Sequence, residues 1–387
     1  MKQILLLDFC NFHDYPIGGF LSFARNLMSS FGDQLALVGI TTDQGDPVGR
    51  WFRKRIEGVE YKYFALARYN KIKTKHIIPD RLACYILVRI YRNKILEINI
   101  HNVLIQRHEI LIAVKNFNFQ NICYRFPGLG SPMDISKYWY GKYLSKLFDR
   151  FFFARYKSVK LFLAAGDEKA IENEIKRSKG ALKRNDIIKF PTRVNTDIFK
   201  PINKLDARNK LDISHDVVVI VTTGRLAWFK GWEFLIDSYQ LYIKNTPNSL
   251  FYFIGDGEDS MKIQAYVSSL KIDDKVILVG RKDPDEVSLF LNASDLFVMG
   301  SYQEGWSTSL MEAVACGIPS CVINFSSASE IIDNGINGYV IDHHDSVEFV
   351  NGMYNAMQIK RPVYNEKVLA HSIYNLKNDL LINWNLL

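Results

Sequence analysis

The second half of the chain alternates short apolar runs with longer amphipathic ones, and this alternation constrains the fold most strongly. The first pair is DVVVIVTTG, a β-branched run ending in Gly224, followed by a run with Phe234, Leu235 and Tyr239 at helical spacing. Five further strand patterns follow before residue 342, separated by helical patterns. Such alternation with short loops predicts parallel strands covered by helices on both faces.

The first half shows the same alternation less regularly. Strand patterns such as KQILLLDF and NICYRFPG are interspersed with helical patterns such as GGFLSFARNLMSSFG. A single core stops growing at roughly 250–300 residues, so two domains are expected. We predict an N-terminal domain over 1–190, a C-terminal domain over 191–370, and a terminal helix over 371–387 that packs back on the first domain.

The predicted fold class is therefore α/β, with two Rossmann-like doubly wound domains facing each other across a cleft. In such sheets, ligands bind at the carboxyl ends of the strands. The residues that follow each strand pattern are consequently the first place to look for a functional site.

The segment after the first strand pattern argues against a dinucleotide-binding dehydrogenase. Such an enzyme needs GxGxxG directly after that strand, whereas the chain continues as CNFHDYPIGGFLSF. The pair Gly18 and Gly19 opens a helical pattern without the fingerprint spacing. It either lets a ligand approach a helix N-terminus or forms a tight turn, and the sequence leaves both open.

Two cations follow the strand pattern that ends at Gly224. Arg225 and Lys230 lie in the loop before the next helical pattern, with Gly231 directly after them. A guanidinium fork can bind two phosphate oxygens and a lysine supplies a point charge, so the pair suits a diphosphate. The alternative is a solvated loop with two ordinary surface cations.

The stretch EGWSTSLMEAVACG places Glu304 and Glu312 on either side of a small polar segment. A helix is predicted to begin near Ser307, where unpaired N–H groups and the helix dipole favour a phosphate. Glu304 can reach a sugar hydroxyl, whereas Glu312, more than one turn inside, can accept from ribose hydroxyls. The arrangement fits a nucleotide-sugar. The alternative is a capping acid together with an unrelated buried Glu held by a salt bridge.

Several stretches over roughly residues 190–342 resemble, in order and spacing, the retaining GT-B glycosyltransferases of family four. They are TRVNTDIFKP, GRLAWFKGWEFLIDS, FYFIGDGED, VILVGR, DLFVMGSYQEGWSTSLMEAVACGIP and SEIIDNGINGYVI. A single E-x7-E spacing would be a weak signal, but an ordered series of this length is a specific one. The first half is similar to the family more loosely.

The resemblance implies a GT-B fold and sugar transfer with retention at the anomeric carbon. It implies catalytic roles for Arg225 and Lys230, which would hold the donor diphosphate, and for Glu304, which would contact the transferred sugar. Glu312 would contact the ribose, and His108 in the sequence RHE would lie on the acceptor side. The donor-binding residues that it implies are Gly18, Gly19, Gly224, Arg225, Lys230, Gly255, Arg281, Glu304, Gly305, Trp306, Ser307, Thr308 and Glu312.

Two departures from the family pattern stand out. The family often carries a second His after the strand that follows His108, but here Phe126 and Pro127 occupy that region. The usual glycines of a later loop are replaced at 326–328 by Ser, Ser and Ala. The first departure puts direct participation of a histidine in doubt, and the second predicts a narrower space for the ligand.

The sequence predicts no metal ion and no other cofactor. No Asp-x-Asp at a strand end is present of the kind that bridges Mg²⁺ to a diphosphate. The stretch GDGED, with Asp256, Glu258 and Asp259, resembles one, but its glycines favour a turn. Two cations and a helix N-terminus can stabilise a departing diphosphate without a metal.

These inferences predict a retaining, metal-independent glycosyltransferase that moves a sugar from a nucleotide diphosphate sugar to a hydroxyl of a glycan or lipid-linked acceptor. The setting would be assembly of bacterial surface polysaccharide or glycolipid. Two alternatives stay open: another GT-B enzyme, such as a nucleotide-sugar epimerase or a phosphorylase, and a non-catalytic partner subunit. No recognised nucleic-acid module accompanies the basic stretches, so no nucleic-acid partner is predicted.

The net charge of +8 is concentrated in the first half of the chain. From Arg50 to Lys94, thirteen Lys and Arg residues stand against three Asp and Glu, with aromatic residues interleaved. Peripheral contact with an anionic membrane is one hypothesis, and an ordinary solvated surface is the other. Five scattered cysteines without CxxC spacing favour reduced thiols and a cytoplasmic location, at the inner face of the cell membrane if the first hypothesis holds.

Overall fold

The structure is a computed structural model that describes residues 3–16, 18–71, 78–126, 133, 141–363 and 365–386. The chain forms two compact units. Unit 1 comprises Met1–Pro191 together with Ile373–Leu387, and unit 2 comprises Thr192–Ser372. Across these ranges, no helix combines the length and the apolar composition needed to cross a bilayer.

The described residues of unit 1 contain an eight-stranded sheet. Its strands are β1 Ile4–Leu7, β2 Leu35–Thr41, β3 Trp51–Ile56, β4 Val59–Arg68, β5 Asn102–Ile105, β6 Asn121–Phe126, β7 Val159–Ala164 and β8 Ile187–Lys189. The order across the sheet is β3-β4-β2-β1-β5-β6-β7-β8, and every pair is parallel except β3 with β4. β1 is fully buried, as expected for a central parallel strand covered on both faces.

Seven helices in the described part of unit 1 cover this sheet. They are α1 Gly19–Phe31, α2 Asp80–Ile90, α3 Arg92–Leu96, α4 His108–Ala113, α5 Gly141–Phe153, α6 Glu168–Arg177 and the terminal helix α15 Ile373–Asn383. α1 and α15 pack on one face, and α4 packs between α2 and α5 on the other. The stretch DRLACYILVRIYRNKILEI, residues 80–98, has one continuous helical pattern in the sequence, but the structure interrupts it at Tyr91 and forms α2 and α3.

Strands β3 and β4 form the first part of the basic aromatic segment from Arg50 to Lys94 that was considered for membrane contact. Lys62 pairs with Arg53 across the ladder, and the aromatic side chains of Tyr61 and Tyr63 are buried in the core. Several aromatic residues of this segment therefore pack in the core and do not belong to an exposed surface. Residues 72–77 of this segment lie outside the described residues. So does Pro127, which occupies the region where the family often carries a second His.

Unit 2 contains a six-stranded, wholly parallel sheet. Its strands are β9 Val218–Thr223, β10 Ser249–Ile254, β11 Val276–Gly280, β12 Leu296–Met299, β13 Ser320–Ile323 and β14 Gly338–Ile341. The order is β11-β10-β9-β12-β13-β14. From β9 the chain adds β10 and β11 on one side of the sheet, and from β12 it adds β13 and β14 on the other side, which is the doubly wound arrangement. The predicted α/β class with two Rossmann-like domains is confirmed.

The helices in the described part of unit 2 are α7 Lys204–Leu211, α8 Trp232–Tyr242, α9 Ser260–Ser269, α10 Pro284–Ala293, α11 Thr308–Ala315, α12 Ala328–Ile331, α13 Ser346–Met357 and α14 Glu366–Ala370. α8 packs against α13, whereas α11 packs against α10 and α14. Local sequence fixes their ends: Pro284 occupies the first turn of α10, and the capping box of Asp283 and Glu286 satisfies its free amides.

Candidate functional site

The strand order of unit 2 creates a switch point between β9 and β12. These strands are neighbours, but the chain leaves β9 toward α8 and β12 toward α11, winding in opposite directions. Right-handed crossovers therefore place α8 and α11 on opposite faces of the sheet and open a crevice beyond the carboxyl ends of the two strands. Most of the donor-binding residues predicted from the sequence lie in the two loops that border this crevice.

The loop after β9 is tied closely to the loop after β12. Lys230 ends a single 3-10 turn over Trp228–Lys230, and Gly231 then adopts a left-handed conformation with φ 68°. A Cβ at Gly231 would lie 1.9 Å from the carbonyl oxygen of Gly300. Only glycine fits this approach, so the two loops keep a fixed distance from each other.

Lys230 and Glu304 form an ion pair across the crevice, from Nζ to Oε1. Their side chains are 23% and 13% exposed, so the pair is shielded but still open to a ligand. The hydroxyl of Ser301 also donates to Oε1 of Glu304, at 3.4 Å. The structure thus brings together two residues for which the sequence predicted diphosphate and sugar contacts.

Arg225 lies on the same loop but points elsewhere. Its Nε donates to Oε2 of Glu258 at 2.8 Å, and its side chain is 61% exposed. Because both partners are exposed, the pair is weak and solvent can replace it. The guanidinium is therefore free to turn toward an anion in the crevice, although it does not contact Lys230 or Glu304 here.

The N-terminus of α11 closes the crevice from the β12 side. Ser307 caps the helix, its Oγ accepting from the amide of Leu310 at 3.3 Å. The amides of Thr308 and Ser309 have no acceptor within the described residues. A Cβ at Gly224 would meet Oγ of Ser309 at 3.4 Å, so this helix tip lies beside the loop after β9. Free amides and the helix dipole together favour an anion at this point.

Glu312 lies one turn further into α11. Burial raises the pKa of its carboxyl to about 8. No group within the described part of the chain donates a hydrogen bond to this carboxyl, and no cation forms an ion pair with it. The alternative of a glutamate held by a salt bridge is therefore not what the structure shows. A carboxyl in this state is poised to accept from hydroxyl donors.

The other donor-side residues divide into those near the crevice and those away from it. Gly305 contributes its carbonyl oxygen to Oγ of Ser327 at 2.9 Å, while Trp306 is buried with its ring edge-on to His371. Gly255 has φ 144°, and a Cβ there would lie 1.8 Å from the carbonyl oxygen of Gly224. Arg281 is exposed at the end of β11, two strands away from β9.

The acidic residues of GDGED form a turn rather than a metal site. Oδ1 of Asp256 accepts from the amide of Gly257 at 2.7 Å and from the hydroxyl of Ser260 at 2.8 Å. Glu258 pairs with Arg225, as described above. Within the described residues, no three His, Cys, Asp or Glu side chains are placed to hold a metal ion. The prediction of metal independence stays a prediction.

The predicted site residues in unit 1 lie at the starts of α1 and α4, the helices that follow β1 and β5. Gly18 and Gly19 begin α1, and a Cβ at either would meet open space. His108 is the first residue of α4 rather than the end of a strand, and it is 5% exposed. Its ring centroid lies 4.6 Å from that of Phe152 and 6.1 Å from that of Tyr124.

This aromatic surrounding determines the charge of His108. Burial lowers the pKa of the imidazole to about 3, and Arg81 and Arg177 contribute in the same direction. The ring is therefore neutral at ordinary pH, and its Nε2 finds no hydrogen-bond partner in the described part of unit 1. Such burial is typical of a histidine with a structural role, while the assignment of His108 to the acceptor side stays a prediction.

Sequence reasoning missed a buried polar network at the end of β1. Nε of Arg107 forms an ion pair with Oδ1 of Asp8, and Nε2 of Gln106 donates to Oδ2 of the same carboxylate at 2.7 Å. Nη1 of Arg125 donates to Gln106 at 3.3 Å. Asp8 at the end of an apolar strand was a visible signal, but its partners Gln106 and Arg107, directly after β5, are about 100 residues distant in sequence.

Comparison with known families gives a match for most of unit 2. Residues 203–367 match the model of the family described as glycosyl transferases group 1. This range contains Arg225, Lys230, Glu304 and the whole of α11. The resemblance to this family that the sequence motifs indicated is confirmed.

Two curated relatives each match about half of the chain. One is a UDP-Gal:alpha-D-GlcNAc-diphosphoundecaprenol alpha-1,3-galactosyltransferase of Escherichia coli, 28% identical over 203 residues, which are 51% of this chain and 50% of the relative. Another is an alpha-monoglucosyldiacylglycerol synthase of Acholeplasma laidlawii, 25% identical over 185 residues, 45% of this chain and 46% of the relative. The match thus spans about half the length of the curated relatives.

Solved structures resemble the chain over its full length. A sucrose-phosphate synthase from Thermosynechococcus elongatus superposes with a TM-score of 0.73 at 16% identity, covering 99% of this chain and 98% of that one. Anabaena HepE, in complex with UDP and glucose, gives 0.73 at 14% identity, with 100% of both chains covered. At such identities the likeness establishes the fold, which is the predicted GT-B fold.

Proposed function

We propose that this chain, whose residues 203–367 match the glycosyl transferases group 1 family, transfers a sugar from a nucleotide diphosphate sugar to an acceptor hydroxyl. One observation carries the proposal. Lys230, Glu304 and the tip of α11 meet at the switch point of unit 2, with Glu312 one turn behind. A cation and free amides suit the diphosphate, and the carboxylates suit the sugars on either side of it.

The names of similar proteins favour particular substrates to test. The Escherichia coli relative is named for UDP-galactose and a diphosphoundecaprenol acceptor, and the Acholeplasma laidlawii relative for a diacylglycerol product. The Anabaena protein was solved with UDP and glucose. We accordingly propose a UDP-sugar donor and a lipid-linked or glycan acceptor for this chain.

In the proposed reaction the bond between the anomeric carbon and the diphosphate oxygen breaks, and a bond from that carbon to the acceptor oxygen forms on the same face. The acceptor proton passes to an oxygen of the departing diphosphate, so charge and atoms balance and the anomeric configuration is retained. Lys230 and the free amides of α11 stabilise the negative charge that develops on the leaving group. Arg225 can add a second cation, and no metal ion is required for this step.

The ion pair between Lys230 and Glu304 gives the proposed site a specific response to its donor. An arriving diphosphate competes with Glu304 for Nζ of Lys230. Sharing this cation releases one carboxylate oxygen of Glu304, which can then accept from a hydroxyl of the transferred sugar. Diphosphate binding and sugar positioning are thereby coupled through one contact.

Lys230→Ala tests this proposal. We expect the variant to fold and to lose about 100-fold or more in kcat with a UDP-sugar donor, as removal of one preorganised charge-stabilising group typically does. Lys210→Ala on α7, an exposed lysine, serves as the control and should leave turnover unchanged. The measurement is donor consumption and product formation over a panel of UDP-sugars, alongside UDP binding by calorimetry.

Each result has a different meaning. Near-wild-type turnover in Lys230→Ala would contradict the proposed chemistry. UDP binding without consumption of any donor would favour a non-catalytic partner subunit. Donor turnover in the absence of an acceptor, with an altered sugar as the product, would favour an epimerase. Absence of UDP binding to the wild-type chain would overturn the nucleotide-sugar proposal.

A separate observation supports peripheral contact with a membrane. Helices α2 and α5 both pack on α4 and expose apolar side chains on the same side of unit 1. Leu82 and Ile90 of α2 are 50% and 67% exposed, and Leu147 and Phe151 of α5 are 49% and 56% exposed. Exposed apolar surface of this kind marks an interaction site, and exposed cations of α5 (Lys146 and Arg150) border it.

We propose that this α2–α5 surface contacts anionic lipid, which would bring the chain to a lipid-linked acceptor. Leu147→Glu combined with Phe151→Glu should abolish sedimentation with vesicles that contain anionic lipid, because charge is placed in the contact. Leu205→Glu on α7, a side chain that is also 49% exposed, is the control. Unchanged sedimentation of the double variant would contradict the proposal, and a shift from dimer to monomer without any lipid binding would identify the surface as a contact between copies.

A further inference from the structure

An aromatic stack borders the switch-point crevice, and the transfer proposed above does not use it. Trp228 lies in the 3-10 turn that ends at Lys230, and Tyr302 lies two residues before Glu304. Their rings are stacked, with centroids 6.4 Å apart and planes inclined by 29°. Trp228 is 62% exposed and Tyr302 is 51% exposed, so much of both rings faces solvent.

Contacts with His344 and with the backbone hold the ring of Tyr302, and thereby the stack, in a fixed position. The ring of Tyr302 lies against that of His344, with centroids 4.1 Å apart and planes at 16°. Nε2 of His344 donates to the carbonyl oxygen of Gly300 at 2.9 Å, and its ring meets Phe234 at 4.9 Å. The amide of Tyr302 donates to the carbonyl oxygen of Phe229 at 2.9 Å. Rings fixed in this way lose little conformational freedom when a ligand binds.

We propose that Trp228 and Tyr302 form a platform that stacks on a pyranose ring of the acceptor. A pyranose presents C–H groups on its face and hydroxyls at its rim. The C–H groups carry partial positive charge and are attracted to the negative faces of aromatic rings. Within the described residues, Nε1 of Trp228 and the hydroxyl of Tyr302 make no hydrogen bond, so both can serve sugar hydroxyls. This amphipathic pattern suits a sugar better than a lipid chain.

The position of the platform selects the acceptor rather than the donor. Trp228 belongs to the loop leading into α8, and Phe234 of that helix packs on the ring of His344 beneath Tyr302, whereas Ser307 and Glu312 lie on α11. α8 and α11 occupy opposite faces of the sheet. A nucleotide seated on α11 therefore leaves the exposed ring of Trp228, on the α8 side of the crevice, open to the group that receives the sugar. The assignment to the acceptor rests on the proposed function.

The experiment measures glycoside binding directly, without turnover. Saturation-transfer NMR with the full chain uses methyl glycosides of glucose, galactose and N-acetylglucosamine at millimolar concentration, and calorimetry with UDP runs in parallel. We expect Trp228→Ala to weaken glycoside binding at least about tenfold, which corresponds to about 1.4 kcal/mol. Trp228→Phe, which keeps a ring, should retain most of the binding, and Met261→Ala, at a side chain 85% exposed on α9, should change nothing.

UDP binding separates this inference from the proposed function. Unchanged UDP affinity in Trp228→Ala, with weakened glycoside binding, supports the platform. Equal glycoside binding in wild type, Trp228→Ala and Tyr302→Ala overturns it, as does absence of binding by every glycoside in the panel. A parallel loss of UDP affinity would assign the rings to the nucleotide and overturn the acceptor role. Failure of the wild-type chain to bind UDP would instead defeat the proposed function.

Discussion

The carboxyl of Glu312 should make nucleotide affinity depend on pH, and the structure predicts both the direction and the magnitude of this dependence. Burial raises its pKa to about 8, so below pH 8 the unliganded protein holds this group mostly neutral. If ribose hydroxyls donate to it, they favour the ionised form. Binding then requires loss of the proton, and UDP affinity should rise with pH and fall as pH drops through 8.

The magnitude follows from the same pKa. With a pKa of about 8, the need to ionise Glu312 lowers UDP affinity by a factor of about 11 at pH 7 and has almost no effect on it at pH 9. UDP should therefore bind about tenfold more tightly at pH 9 than at pH 7, and about 0.9 proton should be released on binding at pH 7. This range avoids the terminal phosphate of the nucleotide, which titrates near pH 6.

The assay is calorimetry at pH 7, 8 and 9 in pairs of buffers with different ionisation enthalpies, which reports both affinity and proton release. Glu312→Gln cannot ionise, so its affinity should vary little over this range and no proton should be released. Glu348→Gln, at an exposed position on α13, should behave as wild type. Proton uptake on binding, or a wild-type affinity that is flat from pH 7 to 9, would refute the assignment of Glu312 to the ribose.

Two further predictions concern packing around the predicted site. Gly255→Ala should abolish UDP binding and lower the melting temperature, because its Cβ would lie 1.8 Å from the carbonyl oxygen of Gly224. Gly58→Ala is the control, since Gly58 has φ 83° but its Cβ would meet open space. This control should lower the free energy of unfolding by only about 1 kcal/mol. His108→Phe should leave folding and UDP binding intact, because the ring it replaces is neutral and surrounded by aromatic side chains; transfer lost from a folded, UDP-binding variant would show that the imidazole itself serves the acceptor.

The sequence predicted unit 2 better than unit 1 for a physical reason. In unit 2 each strand is parallel to its neighbours and is followed by a helix, so local hydrophobic patterns predict most of the topology. The position of α11 is an example: small polar residues at 307–309 indicated its start, and the structure places Ser307 at its cap. The ion pair from Lys230 to Glu304 joins loops 74 residues apart, and its two members were assigned separately.

Unit 1 departs from a simple alternation of strands and helices where contacts between residues distant in sequence determine the structure. The antiparallel strand β3 was missed because its exposed residues give only a weak pattern, and pairing with β4 stabilises it. The environment of His108 depends on α5, about forty residues later in sequence, so no local pattern could separate a buried imidazole from one at a surface. The aromatic platform was missed for the same reason, because Trp228 and Tyr302 lie on two loops that come together only when the sheet brings β9 beside β12.

The return of α15 to unit 1 has a consequence for biosynthesis. Leu376, Leu380 and Trp384 are buried in the same core as Leu27 and Phe31 of α1, and Nε1 of Trp384 donates to Asn121 at 2.9 Å. Unit 2 is thus an insertion within unit 1 in the order of the chain. On the ribosome, unit 2 can complete its own core while the nascent unit 1 still lacks one wall. The domain synthesised first would be the one that matures last, and premature termination would harm it most.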